Sequence, residues 1–446
     1  MKKLIRRILK WIGLALLAAL VCTLAFRFLY ARNWRGTQEL PVPELLDFPY
    51  ESAIADGTIT PEEVAIHYAP VIDQAVNVLL SAGGRGDFIT AVDYDGDWAA
   101  SNNWENLHSG DLGAVVYYSV QETDTHWFVG YCFYHPRDDA EIWLDRHEND
   151  LEGVMLAVPK SGEGWQQPEY LYMQGHGNVY FCFGDGETGG ERMLHGSRYG
   201  GAIASLNGRP HLYITPNGTL KNCGHSVESA AGHSTYWSVG ESGVRYYHGS
   251  TAQTPATWNG AFERNLCAYE LRPLDELWSR RTGPYDGTDV FGSYGAFDGD
   301  NWGEDKANPP WAWRNKTLYG FGGSFLTDPA WTLNQAISDA ALSAEYVSNP
   351  FADWKLTVTN AILPRTVSAE ACTLHLMRDG WEFSNPAWFT LTEKSPGVHG
   401  VTMGCDARTV LYAASPAGGT WRIEVRDAQG RVVPGAAVSL IAEYLK

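Results

Sequence analysis

The densest run of ligand-type side chains is Asp145-Arg146-His147-Glu148-Asn149-Asp150-Leu151-Glu152-Gly153. On an extended backbone residues two apart share a face, so Asp150 and Glu152 present their carboxylates together. His147 joins them if the chain bends at Glu148-Asn149. Upstream, Asp138 leaves an aromatic strand spanning Trp127 to Tyr134, and an antiparallel partner starting near Asp150 would bring all four groups to one place. Three carboxylates and one imidazole make a hard donor set suited to calcium, magnesium or manganese, with water in the remaining positions. The competing reading is a loop of solvated charges with a surface histidine, because His-x-x-Asp-x-Glu alone is a weak pattern.

Other clusters carry less. Asp93, Asp95 and Asp97 alternate as in the opening of a calcium loop and form a candidate second metal site. Trp98 stands where an EF-hand needs glycine and Trp104 where it needs the closing glutamate, so the loop is not an EF-hand. Gly224-His225-Ser226 and Gly232-His233-Ser234 begin like a nucleophile elbow but carry Glu228 and Tyr236 in place of its last glycine. His225 and His176 are the candidate proton carriers beside a metal cleft, and a buried structural histidine is the alternative for each.

The segments that must hold these groups begin with an apolar one. Lys2, Lys3, Arg6, Arg7 and Lys10 precede Trp11 to Phe26, and Phe28 to Ala31 extend the run past Arg27 to about 20 residues, enough to span a bilayer. The basic residues before it place the N-terminus in the cytoplasm and the rest outside, as a single-pass membrane protein. A cleaved secretory signal ending near Thr23-Leu24-Ala25 is the alternative. Residues 1–36 hold eight of the 33 Lys and Arg and none of the 52 Asp and Glu. The remainder carries 25 against 52, a net charge of −27, which repels nucleic acid.

Residues 37–59 read as a spacer. Thr60-Pro61-Glu62-Glu63 then opens a short helix, with Thr60 as cap and Glu63 reaching back. Short β-branched and aromatic runs follow at 114–120, 127–134, 153–158, 171–173 and 211–215, and a second helix is expected over Trp331 to Tyr346. Past Asn349-Pro350 the pattern alternates again over 354–358, 372–377, 387–391, 409–413, 420–425 and 437–441. The expected architecture is mainly β, with a metal-binding β-sandwich with peripheral helices over 60–345 and a C-terminal β-sandwich over 346–446. Six exported cysteines permit three disulfides in fifteen pairings, and Cys132, set among aromatic residues, reads as buried and reduced.

The run Tyr131-Cys132-Phe133-Tyr134-His135-Pro136-Arg137-Asp138, followed by His147-Glu148-Asn149-Asp150-Leu151-Glu152-Gly153, resembles the core of the necrosis- and ethylene-inducing-peptide-like (NLP) cytolysins. There a Tyr-Phe-Pro-Lys-Asp segment precedes Gly-His-Arg-His-Asp-Trp-Glu. Gln174-Gly175-His176-Gly177 is similar to the Ala-His-Gly segment that follows, and vacuolar-protein-sorting-like proteins share a related pattern. The resemblance implies a divalent metal held by Asp138, His147, Asp150 and Glu152. Glu148, Asn149 and Leu151 depart from the family's Arg, His and Trp, and membrane damage is not carried over. Three functions remain: metal-dependent recognition of a surface glycan or lipid headgroup, a metal-assisted hydrolase of a phospho- or glyco-substrate, and an envelope scaffold with a structural ion.

Overall fold

The computed structural model describes residues 2–34, 45–46, 49–55, 57–78, 81–99, 101–140, 146–175, 178–186, 192–194, 198–218, 224–232, 241–256, 265–281, 308–311, 313, 323–338, 340, 342–383, 386–404, 407–414 and 419–446. The first element is the helix Lys2–Trp34, of which Lys2–Ala25 is long and apolar enough to cross a membrane and is exposed among the described residues. A short turn of helix, Tyr50–Ala53, precedes the capped helix Pro61–Tyr68. The expected capping box is present: the Thr60 side chain accepts from the Glu63 N–H, and the Glu63 carboxylate accepts from the Thr60 N–H at 2.7 Å.

The protein is mainly β. In chain order the strands are β1 (Val71–Asn77), β2 (Val115–Thr123), β3 (His126–Asp138), β4 (His147–Pro159), β5 (Tyr170–Gly175), β6 (Asn178–Phe183), β7 (Arg198–Ala202), β8 (Ser205–Leu206), β9 (Arg209–Ile214), β10 (Val227–Ser229), β11 (Glu241–His248) and β12 (Leu266–Pro273). There follow β13 (Tyr346–Ser348), β14 (Trp354–Ile362), β15 (Thr373–Arg378), β16 (Trp381–Glu382), β17 (Phe389–Ser395), β18 (Val398–Met403), β19 (Val410–Ala413), β20 (Trp421–Arg426) and β21 (Ala437–Tyr444).

Among the described residues one large sheet runs β10-β9-β1-β11-β12-β2-β3-β4-β5-β6-β7, with β8 on β9 and β13 on β2. It curls until β10, at one end of that order, packs on β4, β5 and β7 near the other. Curling buries both faces of the central hairpin, which is why β3 and β4 read as near-continuous apolar runs instead of strict alternations. Smaller sheets β17-β18-β14-β19, with β21 on β14, and β16-β15-β20 form past Pro350; the six expected runs correspond to β14, β15, β17, β19, β20 and β21, and β16 and β18 were not expected. β13 belongs to the large sheet, and one buried cluster continues from Val64 through Trp331 and Trp354 to Trp421.

The helix expected over Trp331 to Tyr346 is shorter, Pro329–Ala336, and Tyr346 lies in β13. Ile337 leaves the helix in an extended conformation to bridge Met193, and the Asn334 amide bonds both the N–H and the C=O of Leu342, wrapping the following chain back. β-Branched Ile337 favours that exit over another helical turn. Cys132, Cys182 and Cys267 are buried free thiols and Cys372 is a partly buried one; Cys223 and Cys405 lie outside the described residues.

Candidate metal centre

β3 and β4 form an antiparallel ladder in one unbroken register, with Asp138 opposite His147, His135 opposite Asp150 and Phe133 opposite Glu152. Residues 147 and 150 are an odd number apart, so a regular strand would send them to opposite faces. Asn149 between them adopts φ 60, a left-handed conformation that asparagine tolerates better than most residues. The ladder omits the Pro136–Asn149 pair, where proline has no N–H to give. The Asn149 side-chain oxygen accepts from the Tyr134 hydroxyl at 2.7 Å and the Asn103 amide at 3.0 Å, fixing the bend.

The result is one compact group: a ligand atom each from Asp138, His147 and Asp150, all within 4.8 Å of one another. That is the diameter of a coordination shell with oxygen ligands near 2.4 Å, so the three fit around a single divalent cation. His147 Nδ1 lies 3.2 Å from the Glu148 carbonyl and Nε2 3.5 Å from Asp138 Oδ2, so a proton on Nδ1 leaves Nε2 to face the carboxylates. Asp138 Oδ1 is buried and accepts no hydrogen bond within the described structure, the condition of an atom awaiting a ligand. Glu152, two residues along β4 from Asp150, is buried on the same strand face but does not belong to the group of three.

Electrostatics follow from this packing. Burial opposes protonation of His147, yet the hydrogen bond and charge of Asp138 and the charge of Asp150 outweigh it and raise its pKa to about 9. Burial likewise pushes Asp150 up, but the His225 hydrogen bond and charge, with His147 beyond, bring it down to about 2. His225 is fully buried, with Nδ1 2.7 Å from Asp150 and Nε2 3.1 Å from Asp87. Those two carboxylates overcome burial and raise its pKa to about 10.

Asp87 in turn accepts from the backbone N–H groups of Asn77 and Asn217 at 2.8 and 2.6 Å. His135 stacks on His225 with ring centroids 3.8 Å apart and is held well below its usual pKa, first by burial and then by the His225 charge. His225 therefore stands behind Asp150 as its orienting partner, out of solvent contact, and lines no open cleft. Its own φ of 54 places it where the curl of the sheet brings the approach to β10 against β4. Asp87 was not singled out by sequence; its only signal was position just past β1, because the partner it needs lies 138 residues away.

The remaining candidates fare differently. Asp93 faces Arg272 at 3.5 Å, the Asp95 carboxylate accepts from Asp97 N and the Asn106 amide, and Asp97 accepts from Ala99 N and the Asn102 amide. Their carboxylates build the loop and do not converge as a metal group. His176 and His233 lie outside the described residues.

No family model matches the sequence, and no curated protein matches it. Solved NLP structures are similar at a distance. A non-toxic HaNLP3 protein has 16% identity and a TM-score of 0.24 over 40% of this chain and 73% of its own. NLPPya in complex with glucosamine has 10% identity and a TM-score of 0.25 over 42% of this chain and 74% of its own. A structure described as a toxin fold serving microbial attack and plant defense has 10% identity and a TM-score of 0.25 over 56% of this chain and 92% of its own. At these TM-scores the likeness carries no argument, and the site stands on its own geometry.

Proposed function

We propose that this chain is a divalent-metal-binding recognition protein, held at a membrane by its N-terminal helix with the β domains on the extracytoplasmic side. The observation that carries the reading is the convergence of Asp138, His147 and Asp150 within 4.8 Å, with a buried Asp138 oxygen left to bind. Two carboxylates and one imidazole suit calcium or magnesium. Glu152, two residues from Asp150 along β4, would accept from an ion-bound water. Three protein donors leave about three of six positions for water or for ligand oxygens, such as the hydroxyls of a glycan or the oxygens of a lipid headgroup. Asp138 keeps 13% of its side chain exposed, so an incoming ligand approaches from its side.

A hydrolase reading needs a histidine that can reach the substrate, and His225 is enclosed between two carboxylates. His176, the other candidate, lies outside the described residues, so the recognition reading rests on the three-donor group and its open Asp138 oxygen. Calorimetric titration of the chelator-treated full chain with calcium, magnesium and manganese tests it. One saturable site is expected, weakened about a hundredfold in Asp138→Asn and in Asp150→Asn; unchanged affinity in both variants would sink the assignment.

A further inference from the structure

Several turns meet at the end of the β3–β4 hairpin that lies farthest from the metal group. In the ladder His126 pairs with Pro159 at this end, and Asp138 with His147 at the other. Between the turns lies a cavity of about 810 Å³, within the range of roughly 300–1,000 Å³ that small-molecule sites occupy. We propose that this cavity binds a small organic cation, with its charge on the carboxylates of Glu169 and Asp124 and its carbon body on Pro159, Pro168 and Leu342. The site is independent of the metal function proposed above.

The walls are held by backbone bonds that cross from turn to turn. Lys160 N–H donates to the Thr125 carbonyl at 2.8 Å, Glu169 N–H to the Ala157 carbonyl at 3.0 Å and Gly184 N–H to the Glu169 carbonyl at 2.9 Å. A Cβ on residue 184 would run into the Pro168 carbonyl, so glycine is what lets those two segments close up. A cavity braced in this way has its shape before any ligand arrives, which lowers the ordering cost of binding.

The pairing of the wall charges selects the sign of the ligand. Lys160 pairs with Glu122 and donates to the Thr123 carbonyl at 3.0 Å, and Arg192 pairs with Asp185 at 2.9 Å. His126 adds no cation: burial lowers its pKa below 6.5 against the raising pull of Glu169, so the ring is neutral at pH 7. Thr125 Oγ1 accepts the Ser343 N–H at 3.1 Å, so its own proton goes to His126 Nδ1 at 2.8 Å, and Nε2–H donates to Glu169 Oε2 at 3.3 Å. That chain orients the Glu169 carboxylate and leaves its Oε1 unengaged, on a side chain 49% exposed. Asp124 is exposed in the β2–β3 turn and has no hydrogen bond or ion pair among the described residues. The wall thus carries two unmatched carboxylates and no unmatched cation. A bare ion would leave most of the volume unfilled, whereas Pro159, Pro168 and Leu342 offer an apolar surface to a carbon chain.

Calorimetry of the full chain in detergent tests this, with hexamethylenediamine as the probe and its neutral isostere hexamethylene glycol as the comparison. At about 0.15 M salt, exposed charges are screened beyond about 8 Å, which suppresses general attraction to an acidic surface. One saturable site for the diamine and none for the glycol is expected, with or without chelator. Glu169→Gln and Asp124→Asn should each weaken it about tenfold, as the loss of one charged partner does. Asp124 lies in an exposed turn, so its variant keeps the fold, and Glu393→Gln, at an exposed carboxylate of β17, should bind like wild type. Equal affinity for the glycol, wild-type affinity in both wall variants, an equal loss in Glu393→Gln, or no saturable site would overturn the proposal. Because chelator is present in one arm, failure of the metal titration leaves this result unchanged.

Discussion

Asp138→Asn isolates the metal site with little disturbance to packing. In the metal-free protein Asp138 pairs with His147 at 3.5 Å, and 13% of its side chain is exposed. A partly exposed pair contributes about 1 kcal/mol, so the isosteric amide should lower metal-free stability by roughly that much. The ion acts on a larger scale. At a concentration one hundred times Kd it stabilises the native state by about 2.7 kcal/mol, which for a body of this size corresponds to about 3 °C in Tm. Removing one of two anionic donors should weaken binding about a hundredfold, as losses at metal sites run. The same concentration then equals Kd, the stabilisation falls to about 0.4 kcal/mol, and the shift shrinks to about 0.5 °C. Differential scanning calorimetry of both proteins with chelator and with calcium reads all four values. An equal calcium-induced shift in wild type and variant would refute the reasoning.

Metal loading at pH 7 should expel close to one proton, because the carboxylates raise the His147 pKa to about 9 in the ion-free protein; calorimetry in buffers of different ionisation enthalpy counts it, and His147→Gln should abolish it. His225→Ala leaves Asp87 and Asp150 buried without their shared partner and should cost about 3–5 kcal/mol by denaturant titration, whether or not metal is present. Burial, then the Arg209 charge, lowers the His248 pKa from 6.5 to about 4. A depressed value means its contribution is intact above pH 6.5 and is lost as pH falls through about 4, by roughly 2–3 kcal/mol; a pH–stability profile should flatten over that window in His248→Gln. Thr60→Ala removes the capping box and should cost about 1 kcal/mol, measured the same way.

The hairpin that carries the centre was legible because its cues are local. The aromatic run of β3, the Asp150-x-Glu152 spacing and the bend at Glu148-Asn149 all lie within 27 residues. Asn149 supplied that bend by a left-handed φ, which a polar residue before Asp150 only hints at. The two groups behind the site were not legible as such. His225 looked like part of a nucleophile elbow, and Asp87 like nothing in particular, because their meeting depends on the curl that folds β10 onto β4. The loop of Asp93, Asp95 and Asp97 misled for the opposite reason: its alternation is real, but neighbouring amides and Arg272 take up the carboxylates. The over-long helix past Ala336 failed where Ile337 found a β-bridge to Met193, a partner 144 residues away that no local pattern announces.

The central claim is most directly tested by the anomalous signal from crystals of the protein grown or soaked with manganese. One peak at about 2.0–2.4 Å from Asp138, His147 Nε2 and Asp150, with Glu152 joined through water, is the expected result. A peak elsewhere with these three side chains still turned on one another, or no peak at saturating ion, would contradict the account.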